Sequence, residues 1–363
     1  MTTFESRRAA IEARRAVAAR PTSGSEHEVA LQKYLAATSY LAHPTAVIDA
    51  TNGNQHSGSG VRAPRRDGTR SVAATDRIVV GIEGSACARD AAWWAAAEAE
   101  RHAASLVLLY TYVLPPVGFS GYNPYPPNVV DDLRAEGCAV LADTESELRR
   151  THPDLQITTR MMYGDPKKVL ARASAGATLT VVGAHGRNRV GMALGSVAGH
   201  LAHANPAPVA VIRPGTHQAS GPVVVGVDGS TSSDAALTFA LRTAAVREAS
   251  LIAVHCWQGP AVEGLPLRYD GTDATTSAAM QLQRTVLEDR LLRACEEYPT
   301  VGVELVLIDD RPTPALLRYT ENAQLMVVGS RGHNPLSEMM LGSTGQALIT
   351  RSAAPVVVVP AAS

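Results

Sequence analysis

Aromatic residues are scarce in this chain, at 4% of 363 residues. Single-stranded nucleic acids are gripped by successive aromatic platforms, so a base-stacking surface is not expected. An excess of one charge sign is also missing. Thirty-three Lys and Arg stand against 34 Asp and Glu, a formal net charge of -1. That balance argues against a chain-wide basic field for nucleic acid or for an anionic membrane. The four cysteines, Cys87, Cys138, Cys256 and Cys295, have no C-x-x-C spacing and no histidine cluster beside them. Free buried thiols in a reducing compartment are expected, rather than a metal site or a disulfide framework. No apolar run approaches the ~18–20 residues of a membrane span. The N-terminus carries Glu5, Arg7 and Arg8 without the apolar stretch of a secretory signal. The expected location is therefore the cytoplasm, with no membrane partner.

Several phosphate-handling signatures are absent as well. No G-x-x-x-x-G-K-(S/T) occurs, which argues against a P-loop nucleotidase. The turns after Ile82 and Val227 are not G-x-G-x-x-G, and no Ser-Gly-Gly-x-Asp-Ser turn follows the first strand. A dinucleotide dehydrogenase and a pyrophosphatase-type site are both disfavoured.

What is present is an ordinary globular composition, 45% apolar and 18% charged, sufficient for a normal core. The length suggests two or three domains. Residues 1–75 differ from the rest. Ten basic residues there face six acidic ones. Helices are plausible from about Phe4 to Ala19 and from Ser25, where Glu28 completes a capping box. Thr51 to Arg70 reads as a Gly/Ser/Asn/Arg-rich linker. This extension is read as a tail, partly helical or disordered. A basic arm touching a partner and a natural start further downstream are the other readings.

From Arg77 onward the chain repeats itself. Ile78-Val79-Val80-Gly81-Ile82-Glu83-Gly84-Ser85 returns as Val223-Val224-Val225-Gly226-Val227-Asp228-Gly229-Ser230. Both are β-branched runs of the kind buried on two faces, ending in an acid-Gly-Ser turn whose serine caps an alanine-rich helix. Trp94 and Phe239 occupy equivalent places in those helices. Second strands are expected at Ser105–Tyr112 and Ser250–Trp257, then helices from Val130 to about Arg150 and from Ser277 to about Tyr298. Third strands follow near Ile157–Met162 and Val303–Ile308, and helices after Asp165-Pro166 and Arg311-Pro312. Final strands are expected at Val209–Ile212 and Val356–Val359. Alternating strands and helices imply an α/β fold with a parallel sheet covered on both faces. The expected domains are 76–214 and 222–361, each with five strands and about four helices. The short polar connector from Pro214 to Gly221 suggests that the copies dock as a pseudo-dimer through their exposed final strands.

The fourth strand of each copy carries the chemistry. Val181 to Ser196 reads VVGAHGRNRVGMALGS, and Val327 to Ser343 reads VVGSRGHNPLSEMMLGS. Phosphate needs several backbone N–H donors converging on one point. Glycine lets the backbone approach, and a helix N-terminus adds unpaired donors and a favourable dipole. Gly329 and Gly332 are expected to shape the second loop, with Gly342 and Ser343 opening the helix. Gly183, Gly186, Gly195 and Ser196 are their equivalents in the first. His185, Arg187, Arg331 and His333 flank the glycines, either touching phosphate or simply solvated. Nine residues separate Gly332 from Gly342, but eight separate Gly186 from Gly195. Glu83 and Asp228, at the ends of the first strands, point towards the same crevice. Each either accepts from a ribose hydroxyl or adenine amino group, or caps the next helix.

These residues resemble the universal stress protein family in its tandem form, whose pattern is G-x2-G-x9-G-(S/T) with an aspartate ending the first strand. Asp228, Gly329, Gly332, Gly342 and Ser343 match it in full. The first copy departs twice, with Glu83 for the aspartate and a loop one residue short. The resemblance covers about Arg77 to Pro360. It implies two Rossmann-like (adenine nucleotide α-hydrolase-like) open parallel five-stranded sheets in tandem, forming a pseudo-dimer. It further implies ATP or AMP as ligand, with or without Mg2+, and regulation of stress survival and growth. The backbone after strand two would meet the nucleoside, which places Cys256 and Trp257, and Thr111 and Tyr112, near the base; core packing is the alternative. A homo-oligomer and an unidentified regulatory protein are the further partners expected. A slow ATPase or autokinase of the same fold, and a scaffold without nucleotide, are the competing functions. Among those, the cradle residues explain binding most directly and do not by themselves imply rate acceleration.

Overall fold

A computed structural model describes residues 76–113, 129–186, 194–216, 220–257, 274–331 and 341–361, without the side chains of 274–280. The N-terminal extension and its two expected helices lie outside the described residues. The ten strands among the described residues all belong to one compact unit, Gly60–Tyr269 with Leu282–Ser363.

The first half runs β1 (Arg77–Ile82), α1 (Ala86–Arg101), β2 (Ser105–Tyr112), α2 (Val129–Thr151), β3 (Ile157–Tyr163), α3 (Pro166–Ala173), β4 (Leu179–Gly183), α4 (Ser196–Ala204) and β5 (Val209–Ile212). The second half repeats it as β6 (Val223–Gly226), α5 (Thr231–Val246), β7 (Leu251–Trp257), α6 (Ala274–Cys295), β8 (Val303–Asp309), α7 (Pro312–Thr320), β9 (Leu325–Gly329), α8 (Ser343–Arg351) and β10 (Val356–Val359). The expected helix at Ser277–Tyr298 is displaced three residues towards the N-terminus at each end. Pro299 pushes Tyr298 out of helical geometry, and the chain leaves through a turn closed by Tyr298 N–H donating to the Cys295 carbonyl at 3.0 Å.

Strand order is β3-β2-β1-β4-β5-β10-β9-β6-β7-β8 in one sheet. Within each half every pairing is parallel, and β5 meets β10 antiparallel, with Val209 opposite Val358 and Val211 opposite Val356. The final strands do dock, and they fuse the two expected five-stranded sheets edge to edge. Neither central edge is left open for a further chain.

Helices α1 and α5 lie close against the sheet because their inner faces are small. Ala88, Ala91, Ala92, Ala95, Ala96 and Ala99 of α1 are fully buried, as are Ala236, Ala240 and Ala244 of α5. The halves are also tied by charge. Glu98 of α1 is 2% exposed and accepts from Arg247 Nη2, at the C-terminal cap of α5, at 2.7 Å. Arg247 also donates to Gln324 Oε1 at 2.9 Å and lies over the Trp94 ring at 5.6 Å. Burial alone would raise the Glu98 pKa. Hydrogen bonding from His102 and the charge of Arg247 outweigh it and lower the carboxyl to about 2. Burial pulls the Arg247 guanidinium below its ordinary value. The pair is therefore worth less than the carboxyl shift alone suggests.

Candidate functional site

In each half the strand order reverses direction between the first strand and the fourth. β1 lies between β2 and β4, and β6 between β7 and β9. That reversal opens a crevice beyond the carboxyl ends of the strands, the usual ligand position in such sheets. Glu83 leaves β1 into the first crevice, and Asp228 leaves β6 into the second. Gly84 and Gly229, at φ 86° and 85°, make the turn that follows. Such positive φ values favour glycine.

The helix cap after each turn is the serine, not the acid. Ser85 accepts from Ala88 N–H at 3.0 Å, and Ser230 from Ser233 N–H at 3.2 Å. Asp228 Oδ1 accepts from Ser230 N–H at 2.9 Å, closing its own turn. Glu83, one methylene longer, accepts from the Ser85 hydroxyl through Oε1. It extends towards the glycine loop, where a methyl group on Gly186 would lie 3.9 Å from that oxygen.

The first glycine of each motif has a packing reason. Gly183 ends β4 directly beneath α1, and a Cβ there would meet the Cys87 carbonyl carbon at 2.9 Å. Gly329 ends β9 beneath α5, where a Cβ would meet Ser232 Oγ at 2.4 Å and its carbonyl carbon at 2.9 Å. Neither position has positive φ. These glycines admit a close helix rather than a sharp turn. The Ser232 hydroxyl in turn accepts from Arg331 N–H at 3.3 Å, so α5 holds the start of the second loop.

The last glycine of each motif returns the loop to its strand. Gly195 N–H donates to the Ala184 carbonyl at 2.7 Å, and Gly342 N–H to the Ser330 carbonyl at 3.3 Å. Gly195 and Gly342 are the N-cap residues of α4 and α8, and neither helix receives a side-chain cap. Ser196 and Ser343 are their first residues. The opening N–H groups of both helices are thus presented at the crevice, and their glycine N-caps supply no side-chain acceptor. Gly332, Arg187 and His333 lie outside the described residues.

The first crevice forms a cleft of about 300 Å³, the lower end of the range for small-molecule sites. Glu83, Gly183, His185, Gly186, Gly195 and Ser196 line it, together with an apolar floor of Ile82, Leu109, Leu170 and Val182. The sequence reading missed that floor. Leu109 and Leu170 look like any core residues in a strand and a helix, and only the topology brings them under the glycine loop. Thr111 lines the cleft as expected. Tyr112 stands beyond it, accepting from Arg134 Nε at 3.1 Å and meeting Tyr163 edge to face at 5.6 Å. In the second half Trp257 is buried, and burial pushes the Cys256 thiol up to about 11. Core packing describes both. A residue with no sequence signal, His255, is buried between the Val227 carbonyl, 2.8 Å from Nδ1, and Gln283 Nε2, 3.3 Å from Nε2.

Comparison with known proteins agrees with this architecture. The family model described as "Universal stress protein family" matches twice, over residues 74–213 and 220–360. A universal stress protein of Mycobacterium tuberculosis is 34% identical over 292 residues, covering 77% of this chain and 95% of the relative. A second from that organism is 32% identical over 308 residues, covering 77% and 94%. A universal stress protein structure from Archaeoglobus fulgidus superposes with a TM-score of 0.59 at 18% identity, covering 79% of this chain and 96% of the other. That last likeness concerns the fold alone. The doubled strand-glycine-helix crevice, the twice-matched family model and the full-length relatives converge on one conclusion: this chain belongs to the universal stress protein family.

Proposed function

We propose that the chain is an adenine-nucleotide-binding regulator of stress survival and growth, with 76–214 and 222–361 as its two nucleotide-binding domains. The reading rests above all on the helix N-termini at Gly195-Ser196 and Gly342-Ser343. Each has a glycine N-cap that makes no side-chain cap hydrogen bond, and each is drawn against the end of the adjoining strand by a backbone hydrogen bond. Backbone donors so arranged suit an ATP or AMP phosphate. In the second half Asp228, Gly329, Gly332, Gly342 and Ser343 would hold the ligand, the phosphate at the α8 N-terminus and the nucleoside towards Asp228. In the first half Glu83, Gly183, Gly186, Gly195 and Ser196 are the counterparts, and the apolar floor suits a purine ring. The second half is the principal site, because it keeps the aspartate and the longer loop.

Purified protein is expected to release adenine nucleotide on denaturation, identified by chromatography and mass spectrometry, or to bind ATP or AMP in calorimetry. Charged hydrogen bonds of roughly 1.5–3 kcal/mol each are sufficient for micromolar binding after entropy losses. Protein that carries no nucleotide and binds none at millimolar concentration would refute the proposal.

A further inference from the structure

Asp228 is followed by Gly229 at φ 85°, and Glu83 by Gly84 at φ 86°. Glycine has no Cβ to restrict it, so the acid before it keeps one direction only where other groups fix the turn. In the second half two side chains do this. Gly229 N–H donates to Ser233 Oγ at 3.1 Å, and that hydroxyl donates onward to the Ser230 carbonyl at 2.9 Å. The Gly229 carbonyl accepts from Arg290 Nη1 at 2.7 Å, a nitrogen shared with the Asp234 carboxylate at 3.2 and 3.3 Å. Both backbone groups of the glycine are therefore held, one from α5 and one from α6. On the other side of the acid, the Val227 carbonyl accepts from His255 Nδ1 at 2.8 Å. The counterparts in the first half cannot make the two bonds to the glycine. Counted from the capping serines Ser85 and Ser230, Ser233 falls opposite Ala88, which has no hydroxyl. Gly137 of α2 meets Tyr110 as Gln283 of α6 meets His255, and seven residues further on stand Thr144 and Arg290. Thr144 is short, and its hydroxyl donates to the Val140 carbonyl at 2.8 Å.

Resting on the adenine-site reading above, we propose that Ser233 and Arg290 are positioning residues for Asp228. They hold the Asp228-Gly229 turn in its ligand-ready form, so the turn is ordered before the nucleoside arrives. Neither belongs to the glycine motif. The second half is then the tighter site because its turn is prearranged, in addition to its aspartate and its loop length.

The test uses the full chain carrying Ser196→Asp. Ser196 is exposed at the start of α4, and a carboxylate there opposes phosphate in the first crevice, so the second half is read alone. ATP is titrated calorimetrically against this protein and against the same protein with Ser233→Ala, Arg290→Met or Arg290→Lys. Alanine is what the first half carries at the equivalent place, and methionine keeps the stem of Arg290 without its donors. Ser233→Ala and Arg290→Met should each weaken ATP about five- to tenfold. Lysine can still donate to the Gly229 carbonyl and should cost less than about threefold. The same changes are then made beside Asp228→Asn, whose amide oxygen still accepts from Ser230 N–H. There Ser233→Ala and Arg290→Met should each move ATP affinity by less than about twofold, because a positioning residue acts only through the group it positions. A merely structural role lowers ATP affinity by the same factor with Asp228 or with Asn, and that result overturns the proposal. ATP affinity unmoved by both Ser233→Ala and Arg290→Met also overturns it. Unmodified protein that binds ATP, paired with a Ser196→Asp protein that binds none, overturns it while leaving the adenine reading intact. Failure of the unmodified protein to bind ATP removes both.

Discussion

Gly329 and Gly342 belong to one motif, yet substitution should affect them in opposite ways. A methyl group at Gly329 would lie 2.4 Å from Ser232 Oγ and 2.9 Å from the Ser232 carbonyl carbon and oxygen. The hydroxyl can rotate away, but the backbone can move only with α5, whose Ala236, Ala240 and Ala244 are fully buried against the sheet. Overpacking of this kind costs about 1–3 kcal/mol. At about 2–4 °C per kcal/mol, Gly329→Ala should lower the melting temperature by about 2–12 °C. Rotation of Ser232 also removes the acceptor of Arg331 N–H, so nucleotide affinity should fall with stability. Among the described residues nothing lies within 4 Å of a Cβ at Gly342, whose φ -54°, ψ 145° any residue adopts. Serine there supplies the missing side-chain cap and should change stability by only a few tenths of a kcal/mol, in the stabilising direction. Its hydroxyl nevertheless accepts from the N–H groups offered to phosphate, so nucleotide affinity should fall. Differential scanning calorimetry paired with ATP titration reads both quantities. Equal losses of melting temperature in the two variants, or an unmoved Gly329→Ala, would refute the packing argument.

Three further outcomes are expected. Glu98 has a folded pKa of about 2, below its ordinary 4.5, so it contributes stability that is fully present above about pH 4.5 and lost as pH falls towards 2. The shift alone corresponds to roughly 3 kcal/mol, reduced by the desolvation of Arg247, and denaturant midpoints of Glu98→Gln should vary less with pH across that window than those of the unmodified protein. Arg247→Ala leaves the Glu98 carboxylate buried with only His102 and Arg101 beside it, and should cost about 3–5 kcal/mol in chemical unfolding. In native protein at pH 8, iodoacetamide should modify exposed Cys138 well before Cys87, Cys256 and Cys295, whose thiols burial pushes up; equal labelling by mass spectrometry would contradict that order.

Most of the fold could be read from the repeat, because each buried strand is a β-branched run bounded by a turn and right-handed crossovers leave few ways to order five parallel strands. The sheet's central joint was inferable from Val356–Val359, which needs a neighbour on its outer side. Other features depend on distance in space. Glu98 sits in an alanine-rich helix like any solvated acid, and its partner is 149 residues away. Gly329 looks like a loop glycine until Ser232 is placed above it. Gly137, inside α2, has no evident purpose until the Tyr110 ring is found 2.6 Å from where its Cβ would be. The glycine-loop residues stood out as candidates because a backbone phosphate cradle is local in sequence. The cleft floor was not, since Leu109 and Leu170 reach it from different elements.

The buried ion pair also breaks the symmetry between the halves. Ser85 and Ser230 cap equivalent helices, and counting from them sets Glu98 opposite Thr243 and His102 opposite Arg247. A symmetric dimer of first halves would bring Glu98 to a histidine. A symmetric dimer of second halves would bring Arg247 to Thr243, whose hydroxyl already donates to the Phe239 carbonyl at 2.9 Å. That guanidinium would be buried without a carboxylate, at a cost of about 3–5 kcal/mol per unpaired charge. Joined in one chain, the unlike halves supply one carboxylate and one guanidinium at the same seam. Separately produced halves, 76–214 and 222–361, should therefore form a mixed dimer in preference to either self-dimer when combined, as read by native mass spectrometry. Arg247→Met in the second half removes the unpaired charge and should restore its self-association. Self-dimers of the unmodified second half as stable as the mixed species would show that the β5–β10 edge, and not the ion pair, chooses the partner.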